Sequence, residues 1–289
     1  MKRLLNVLTA LAFVFFAAVG LAAPAAVVEG VQMPAWMERG GIKIPLAPGM
    51  ELRPRDELHT GTGARLYVKL AEGSLIKLGE NGSLKLLDME PQKGGFFKGA
   101  MDLFEGAFRF TTDKVLKRGA RDINVKVATV TIGIRGTDLW GRSKTDNEIV
   151  CLIEGRIDVG AQNEQAVTMD KPLQFYKREN GKTQPVAFVS PDQLKIWAAE
   201  TDIEAGRGAA RRGGRWSVTL ASVDTQEDAL KLYDDLRANG YAAQIRPRVA
   251  DGKTTYRVQI RSLPSQPEAA SLAKQLLGKF GIKEPIVSL

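Results

Sequence analysis

Side chains able to perform acid–base or nucleophilic catalysis are scarce in this sequence, which has one histidine and one cysteine. His59 lies in a predicted turn between strands, and no nucleophile–histidine–carboxylate arrangement surrounds it. Cys151 lies in the apolar, strand-like run 148–153, which is typical of a buried thiol. A single histidine and a single cysteine also exclude the common zinc spacings. The sequence therefore predicts no catalytic residue, no metal and no cofactor, although two carboxylates could still meet through folding, as in a cell-wall hydrolase.

Arginine, in contrast, recurs at alternate positions on the predicted strands of residues 215–289. One face of these strands is apolar, and we expect it to lie against helices. The opposite face collects guanidinium, amide and hydroxyl groups, which are hydrogen-bond donors suited to carboxylates and sugars. A merely solvated sheet face would also be polar, but the concentration of arginine rather than lysine or glutamate favours binding. The predicted binding residues on this open face are Ser217, Thr219, Gln244, Arg246, Arg248, Arg257, Gln259 and Arg261, with Arg215, Ala221 and Thr255 beside them.

The strands that carry these residues belong to an internal repeat. Residues 216–223 align with residues 256–263, and the same spacing relates the apolar positions of the segments that follow. Each copy predicts a strand, a capped amphipathic helix and a second strand. The sequence therefore predicts an α+β unit of βαββαβ topology, with both helices on one face of a small sheet. In it the apolar, helix-facing residues are Trp216, Val218, Leu220, Ala243, Ile245, Tyr256, Val258 and Ile260.

The preceding part of the chain has a different pattern. Residues 27–188 contain short alternating segments separated by turn signals, such as the alternation of 65–70 and the Glu-Asn-Gly turn at 80–82, which predict an all-β sandwich or roll. A capped helix is expected at 190–205. The Gly- and Arg-rich segment 206–214 is typical of a flexible basic linker. With 289 residues, 44% of them hydrophobic, two folded units are expected.

Charge and compartment narrow the choice of ligand. The net charge is +8, which favours an acidic partner: nucleic acid, an anionic membrane or an acidic polymer. Residues 1–23 have a basic start followed by an apolar stretch, the pattern of a secretory signal peptide cleaved between Ala22 and Ala26. An uncleaved membrane anchor is the alternative, and would be the chain's only membrane contact. Export to the periplasm excludes nucleic acid, and Trp216 and Tyr256 face the helices instead of stacking on RNA bases.

Residues 215–289 resemble the SPOR domain. The resemblance lies in Trp216–Val223, in Asp228-Ala229 at the start of the first helix, and in Tyr256-Arg257-Val258. It implies binding to peptidoglycan glycan strands that have lost their stem peptides, often at division septa. It also adds Ser222, which matches a serine of glycan-binding members, to the predicted site.

This sequence departs from the SPOR pattern at two positions. Thr219 stands where a glutamine is frequent in the first strand, and Arg261 stands where a glycine is usual after the third strand. Both changes leave the predicted fold intact, and both bear on the glycan assignment.

The preceding unit resembles the periplasmic FecR domain over residues 27–186. The resemblance lies in residues 49–63, Glu72-Gly73-Ser74, the motif Arg135-Gly136-Thr137-Asp138 followed by Leu139, and Glu154-Gly155-Arg156-Ile157. It implies an interaction module, because FecR domains relay a signal from an outer-membrane receptor to a cytoplasmic sigma-factor regulator. The motif itself has two interpretations: a tight turn with a locally hydrogen-bonded Asp or Thr, or a docking site for a partner at residues 135–138.

Together these observations predict a non-catalytic periplasmic protein of mixed fold. Its SPOR-like domain would bind peptidoglycan, and its FecR-like domain would present an interaction surface to an envelope protein. The alternative is an envelope signalling accessory that senses a partner through the FecR-like domain, and a cell-wall hydrolase is a weaker alternative.

Overall fold

The protein consists of an N-terminal β unit, one connecting helix and a C-terminal α+β unit. A computed structural model describes residues 24–91, 97–112, 121–134, 136–250 and 252–289. The predicted signal peptide, residues 1–23, and Arg135 of the Arg-Gly-Thr-Asp motif lie outside these residues. Within them, no helix is both long enough and apolar enough to cross a bilayer.

The N-terminal unit is built from short strands, as the alternating sequence predicts. In chain order they are β1 (Ala26–Gln32), β2 (Ala35–Arg39), β3 (Ile42–Pro45), β4 (Glu51–Leu52), β5 (Glu57–Thr60), β6 (Arg65–Leu70), β7 (Leu75–Leu78), β8 (Ser83–Pro91), β9 (Phe97–Thr111), β10 (Arg121–Val127), β11 (Val130–Ile134), β12 (Asp138–Lys144), β13 (Asn147–Glu154), β14 (Ile157–Ala161), β15 (Val167–Met169), β16 (Gln174–Glu179), β17 (Lys182–Thr183) and β18 (Ala187–Phe188).

These strands form two sheets that share β9. The first sheet has the order β1-β6-β7-β9-β12-β13-β16. The second has the order β3-β2-β5-β8-β9-β10-β11-β14-β15. Both contribute to one apolar core, which includes Leu66 and Phe110 of the first sheet and Leu84 and Val125 of the second. The predicted all-β N-terminal unit is confirmed.

The passage of β9 from one sheet to the other depends on Gly106. The sequence predicts a new strand after Glu105-Gly106, but this pair lies inside β9. Gly106 has a φ of +91°, and a Cβ there would stand 2.6 Å from the Cα of Gly82. Because side chains rarely adopt this conformation and none would fit the space, glycine allows the strand to cross between sheets.

The connecting helix covers the outer face of the first sheet. Helix α1 (Pro191–Ala199) begins as predicted, with the Ser190 hydroxyl accepting a hydrogen bond from the backbone N–H of Gln193 at 3.2 Å. The Trp197 ring stacks on that of Trp140 with centroids 5.0 Å apart. The helix ends at Ala199, so the predicted end at residue 205 is wrong.

Residues 206–214, predicted as a flexible linker, are instead held against both units. Strand β19 (Ala210–Arg211) pairs with β1, and Ala209 and Ala210 are each 1% exposed. The carboxylate of Glu268 accepts hydrogen bonds from the backbone N–H groups of Gly206, Gly208 and Ala209 at 2.7, 2.7 and 3.1 Å. The composition of the segment predicts a linker, because the residues that bind it lie far away in the sequence and leave no local signal.

The C-terminal unit has the predicted βαββαβ topology. Its sheet has the order β21-β22-β20-β23, and helices α2 and α3 pack against one face. The elements are β20 (Trp216–Val223), α2 (Gln226–Ala238), β21 (Gln244–Ala250), β22 (Lys253–Leu263), α3 (Gln266–Leu276) and β23 (Ile286–Ser288).

A second set of contacts joins the two units at the end of α2. The ammonium group of Lys43 donates to the carbonyl of Ala238 at 2.7 Å, and the N–H of Ala35 donates to the carbonyl of Gly240 at 3.1 Å. The N-terminal unit therefore meets the C-terminal unit at the end of α2 and, through β19, next to β22.

We expect Glu268→Gln to loosen the segment 206–214. The change replaces charge-assisted hydrogen bonds by neutral ones, at a cost of about 1–2 kcal/mol. Since proteolysis follows the population of the opened state, trypsin should cleave the arginines of this segment about tenfold faster. Glu227→Gln, which removes an exposed carboxylate from the first turn of α2, is the matched control. Equal cleavage rates in the two variants would contradict the prediction.

Candidate functional site

The buried face of the C-terminal sheet follows the predicted alternation. Val218, Leu220, Val258 and Ile260 are at most 2% exposed and lie in the core with α2 and α3. The other predicted helix-facing residues, Trp216, Ala243, Ile245 and Tyr256, are partly buried and pack against the same core.

A β-bulge decides which face two residues of β20 occupy. Strict alternation places Ala221 on the open face and Ser222 on the helix side. The register shifts between Thr219 and Ala221, so that Ala221 pairs with the core residue Val258 and Ser222 pairs with Arg257. Because directly paired residues share a face, Ser222 joins the open face, as the resemblance implies. The prediction that Ala221 lies on the open face is wrong.

Rows of paired residues run across the open face. In one row, Gln244 pairs with Gln259, Gln259 with Thr219, and Thr219 with Ile286. In another, Arg246 pairs with Arg257 and Arg257 with Ser222. Ser217 pairs with Ser288, and their hydroxyl oxygens lie 3.1 Å apart. Most of the predicted binding residues thus lie on one continuous surface.

Exposure differs sharply among the predicted binding residues. Ser217 and Thr219 are each only 8% exposed. These two hydroxyls therefore lie below the longer side chains of the open face. The exposed residues of the set are Ser222, Gln244, Arg246, Arg248 and Arg261, while Arg257 and Gln259 are half-buried.

The open face carries positive charge that the described residues do not neutralise. Arg246 and Arg257 are directly opposite each other on neighbouring antiparallel strands. Two like charges in such a cross-strand pair destabilise the sheet. Within the described parts of the chain, no carboxylate forms an ion pair with Arg246, Arg248, Arg257 or Arg261. The Arg246 guanidinium donates one long hydrogen bond, 3.4 Å, to the side-chain oxygen of Gln244. An anionic ligand would relieve this repulsion.

The N-terminal unit leaves this face accessible. Its hydrogen bonds to the C-terminal unit reach Ala238 and Gly240 at the end of α2, and the segment 206–214 is bound by Glu268 of α3. These contacts involve the helices, and β19 also lies next to β22. Arg246, Arg248 and Arg261 of the open face stay exposed.

The Arg-Gly-Thr-Asp motif is incorporated into the N-terminal sandwich. Thr137 is 3% exposed, and its N–H donates to the Thr112 hydroxyl at 3.1 Å. The Asp138 carboxylate accepts two hydrogen bonds from the Arg109 guanidinium, at 2.9 and 2.7 Å, and this bonding raises the pKa of Arg109. Asp138 is therefore bonded across the sheet to Arg109.

The single histidine and cysteine have ordinary structural environments. His59 lies within β5, so the prediction of a turn is wrong, and its ring stacks on Trp36 with centroids 5.5 Å apart. Its side chain lies near Glu38 and Glu57, a grouping of potential metal ligands that sequence spacing did not reveal. Lys85 already forms an ion pair with Glu57 there.

Cys151 is fully buried, as predicted. Burial raises the pKa of its thiol to about 12, so the reactive thiolate is suppressed at neutral pH.

Comparisons with known proteins agree with the two-unit architecture. The SPOR domain family matches residues 213–287, and the FecR protein family matches residues 56–158. The chain therefore combines a FecR domain with a C-terminal SPOR domain. The SPOR match spans the C-terminal sheet up to Val287, and the FecR match contains Asp138 and its partner Arg109.

The other comparisons add no functional information. Two crystal structures of a candidate anti-sigma factor from Parabacteroides distasonis each share 12% identity, covering 68% of this chain and 96% of theirs, with TM-scores of 0.39 and 0.40. Superpositions at this level support no argument about fold or function. No curated protein sequence matches the chain.

We expect Asp138→Asn to destabilise the FecR domain. Arg109 would keep a hydrogen-bonding neighbour but lose its anionic partner in a partly buried site, at a cost of about 1–3 kcal/mol. Urea unfolding followed by tryptophan fluorescence measures the effect. Asp170→Asn, at an exposed position, is the control. If the two variants unfold at the same urea concentration, Asp138 does not have this stabilising role.

Proposed function

We propose that this protein is a non-catalytic periplasmic protein that binds peptidoglycan through its SPOR domain. Its ligand is the glycan strand stripped of stem peptides, bound on the open face of the sheet. The observation that carries the proposal is the set of arginines on that face that have no carboxylate partner among the described residues. The SPOR match over residues 213–287 supports the same ligand class.

The chemistry of the ligand fits this surface. Removal of the stem peptides leaves lactyl carboxylates along a chain rich in hydroxyl and amide groups. Arginine pairs well with carboxylates, and glutamine and serine side chains exchange hydrogen bonds with hydroxyls and amides. Because the contacts are exposed, each one contributes little, and binding should weaken as salt increases.

The sequence of the N-terminus and the domain types support the proposed periplasmic location. Residues 1–23 have the pattern of a signal peptide, whether cleaved or retained as an anchor, and SPOR and FecR domains are associated with the cell envelope. The resemblance to SPOR domains implies recruitment to sites of wall remodelling such as the division septum.

We expect the double variant Arg246→Ala/Arg257→Ala to bind amidase-treated sacculi about tenfold more weakly than the wild type. Two arginine–carboxylate contacts at the protein surface, of about 0.7 kcal/mol each, account for that factor. Co-sedimentation of the full-length protein with amidase-treated and untreated sacculi measures the effect, and the wild type should prefer the treated sacculi.

The control for this experiment is Lys231→Ala/Lys274→Ala, which removes two positive charges from exposed positions on α2 and α3. If the two double variants lose binding equally, net charge explains the attraction and the open face does not. The wild type should also release no soluble fragments from sacculi, and release of fragments would favour the hydrolase alternative.

A second role, in envelope signalling, is favoured by the FecR match over residues 56–158. In this role the FecR domain contacts an envelope protein while the SPOR domain anchors the chain to the wall. We expect crosslinking in intact cells to yield a specific adduct through the FecR domain that persists in the Arg246→Ala/Arg257→Ala variant. An adduct that disappears with glycan binding would indicate that wall attachment, and not the FecR domain, brings the two proteins together.

A further inference from the structure

We propose that the open face is a trough with two chemically different walls, and that Ile286 forms its apolar wall by packing against the acetyl methyl groups of N-acetylated sugars. This inference rests on the proposed function, because it assigns the side on which the glycan presents its acetyl groups. Neither Ile286 nor β23 was among the residues predicted from the sequence to bind the ligand.

The floor of the trough consists of hydroxyl groups. Ser217 and Thr219 point to the open face, because Thr219 pairs with Gln259, yet each is only 8% exposed. Their strand, β20, lies between β22 and β23. Thr219 lies between two longer side chains, Gln259 on β22 and Ile286 on β23, so the surface is concave across this row.

The two walls differ in polarity. On one side, β21 and β22 present the arginines and glutamines. On the other side, β23 presents Ile286, which is 62% exposed and shares its row with Thr219. Strands β21 and β23 are three strand spacings apart, about 14 Å. A ligand lying between them meets cationic and amide groups along one edge and an aliphatic group along the other.

Peptidoglycan sugars have this same combination of groups. Their lactyl carboxylates and hydroxyls are polar, whereas the methyl of each N-acetyl group is apolar and gains by leaving water. With the carboxylates at the arginine wall, the apolar wall is available for acetyl methyls. A polymer that lacks acetyl groups would leave Ile286 exposed to water.

The alternation of β23 separates Ile286 from its neighbours. Val287 pairs with Val218 and packs against the core. Leu289 is 71% exposed but has the same parity as Val287, so it does not share the open face with Ile286 and Ser288. A single exposed aliphatic residue is ordinary on any protein surface; the row that Ile286 forms with Thr219, Gln259 and Gln244 distinguishes it from Leu289.

The test compares Ile286→Ser with Leu289→Ser in the full-length protein. Both replace an exposed aliphatic side chain by a hydroxyl, but only the first alters the trough. On denuded glycan strands we expect Ile286→Ser to weaken binding about fivefold, as expected for partial burial of one aliphatic side chain. Leu289→Ser should bind as the wild type does, and Ile286→Val, which keeps most of the aliphatic surface, should lose less affinity than Ile286→Ser. Thermal unfolding and light scattering verify that the variants remain folded and keep the oligomeric state of the wild type.

A second probe separates the two walls. Chitohexaose has acetyl groups but no carboxylates, and it should compete with denuded glycan for the wild type. Its affinity should fall about fivefold in Ile286→Ser. In Arg246→Ala/Arg257→Ala its affinity should fall less than the affinity for denuded glycan does, because chitohexaose has no carboxylates to pair with the arginines. The proposal is overturned if Ile286→Ser binds denuded glycan as tightly as Leu289→Ser, if chitohexaose does not compete, or if Ile286→Ser changes the oligomeric state.

The outcomes also distinguish this inference from the proposed function. If the arginine variant loses binding while Ile286→Ser binds normally, the proposed function is supported and the apolar wall is rejected. If the wild type does not bind denuded glycan, the proposed function is rejected, and the inference about Ile286 is rejected with it.

Discussion

Helices α2 and α3 of the SPOR domain cover one face of a four-stranded sheet and leave the other uncovered, and the properties of the binding surface follow from this one-sided burial. Apolar residues such as Val218 and Val258 are fully buried against the helices, so the alternate positions must face outward. Arg246 and Arg257 stand opposite each other on that outer face. Their mutual repulsion destabilises the folded protein in the absence of ligand. Binding of an anionic polymer would reduce that repulsion.

The segment between the domains determines how this surface is presented. Glu268 lies in the first turn of α3 and accepts hydrogen bonds from the N–H groups of Gly206, Gly208 and Ala209, while β19 adds to the sheet that contains β1. The FecR domain and this segment therefore contact the SPOR domain at its helices and next to β22, and Arg246 and Arg248 of the open face stay exposed. A glycan strand bound to that face would orient the FecR domain relative to the wall, which a flexible tether could not do.

Within the FecR domain, the most distinctive sequence motif has a structural explanation. Asp138 joins β12 to Arg109 of β9, the strand that both sheets share. A Cβ at Gly155 would stand 2.6 Å from the carbonyl oxygen of Gly136, so the turn at 154–155 can approach the motif only because residue 155 is glycine. These contacts stabilise the region where the two sheets diverge. They give Thr137 and Asp138 a structural role, and docking of a partner at residues 135–138 stays a prediction.

The sequence by itself determined the two units, the βαββαβ topology and the apolar phase of each strand, because the period-2 pattern and helix caps are local properties of the chain. It also located the arginines on the uncovered face. Only the tertiary structure decided the remainder. A bulge moved Ser222 to the open face, neighbouring strands shaded Ser217 and Thr219, and Ile286 came to lie in their row. The order of the segment 206–214 likewise depended on Glu268. Each of these features arises from contacts between residues distant in sequence, which no local pattern encodes.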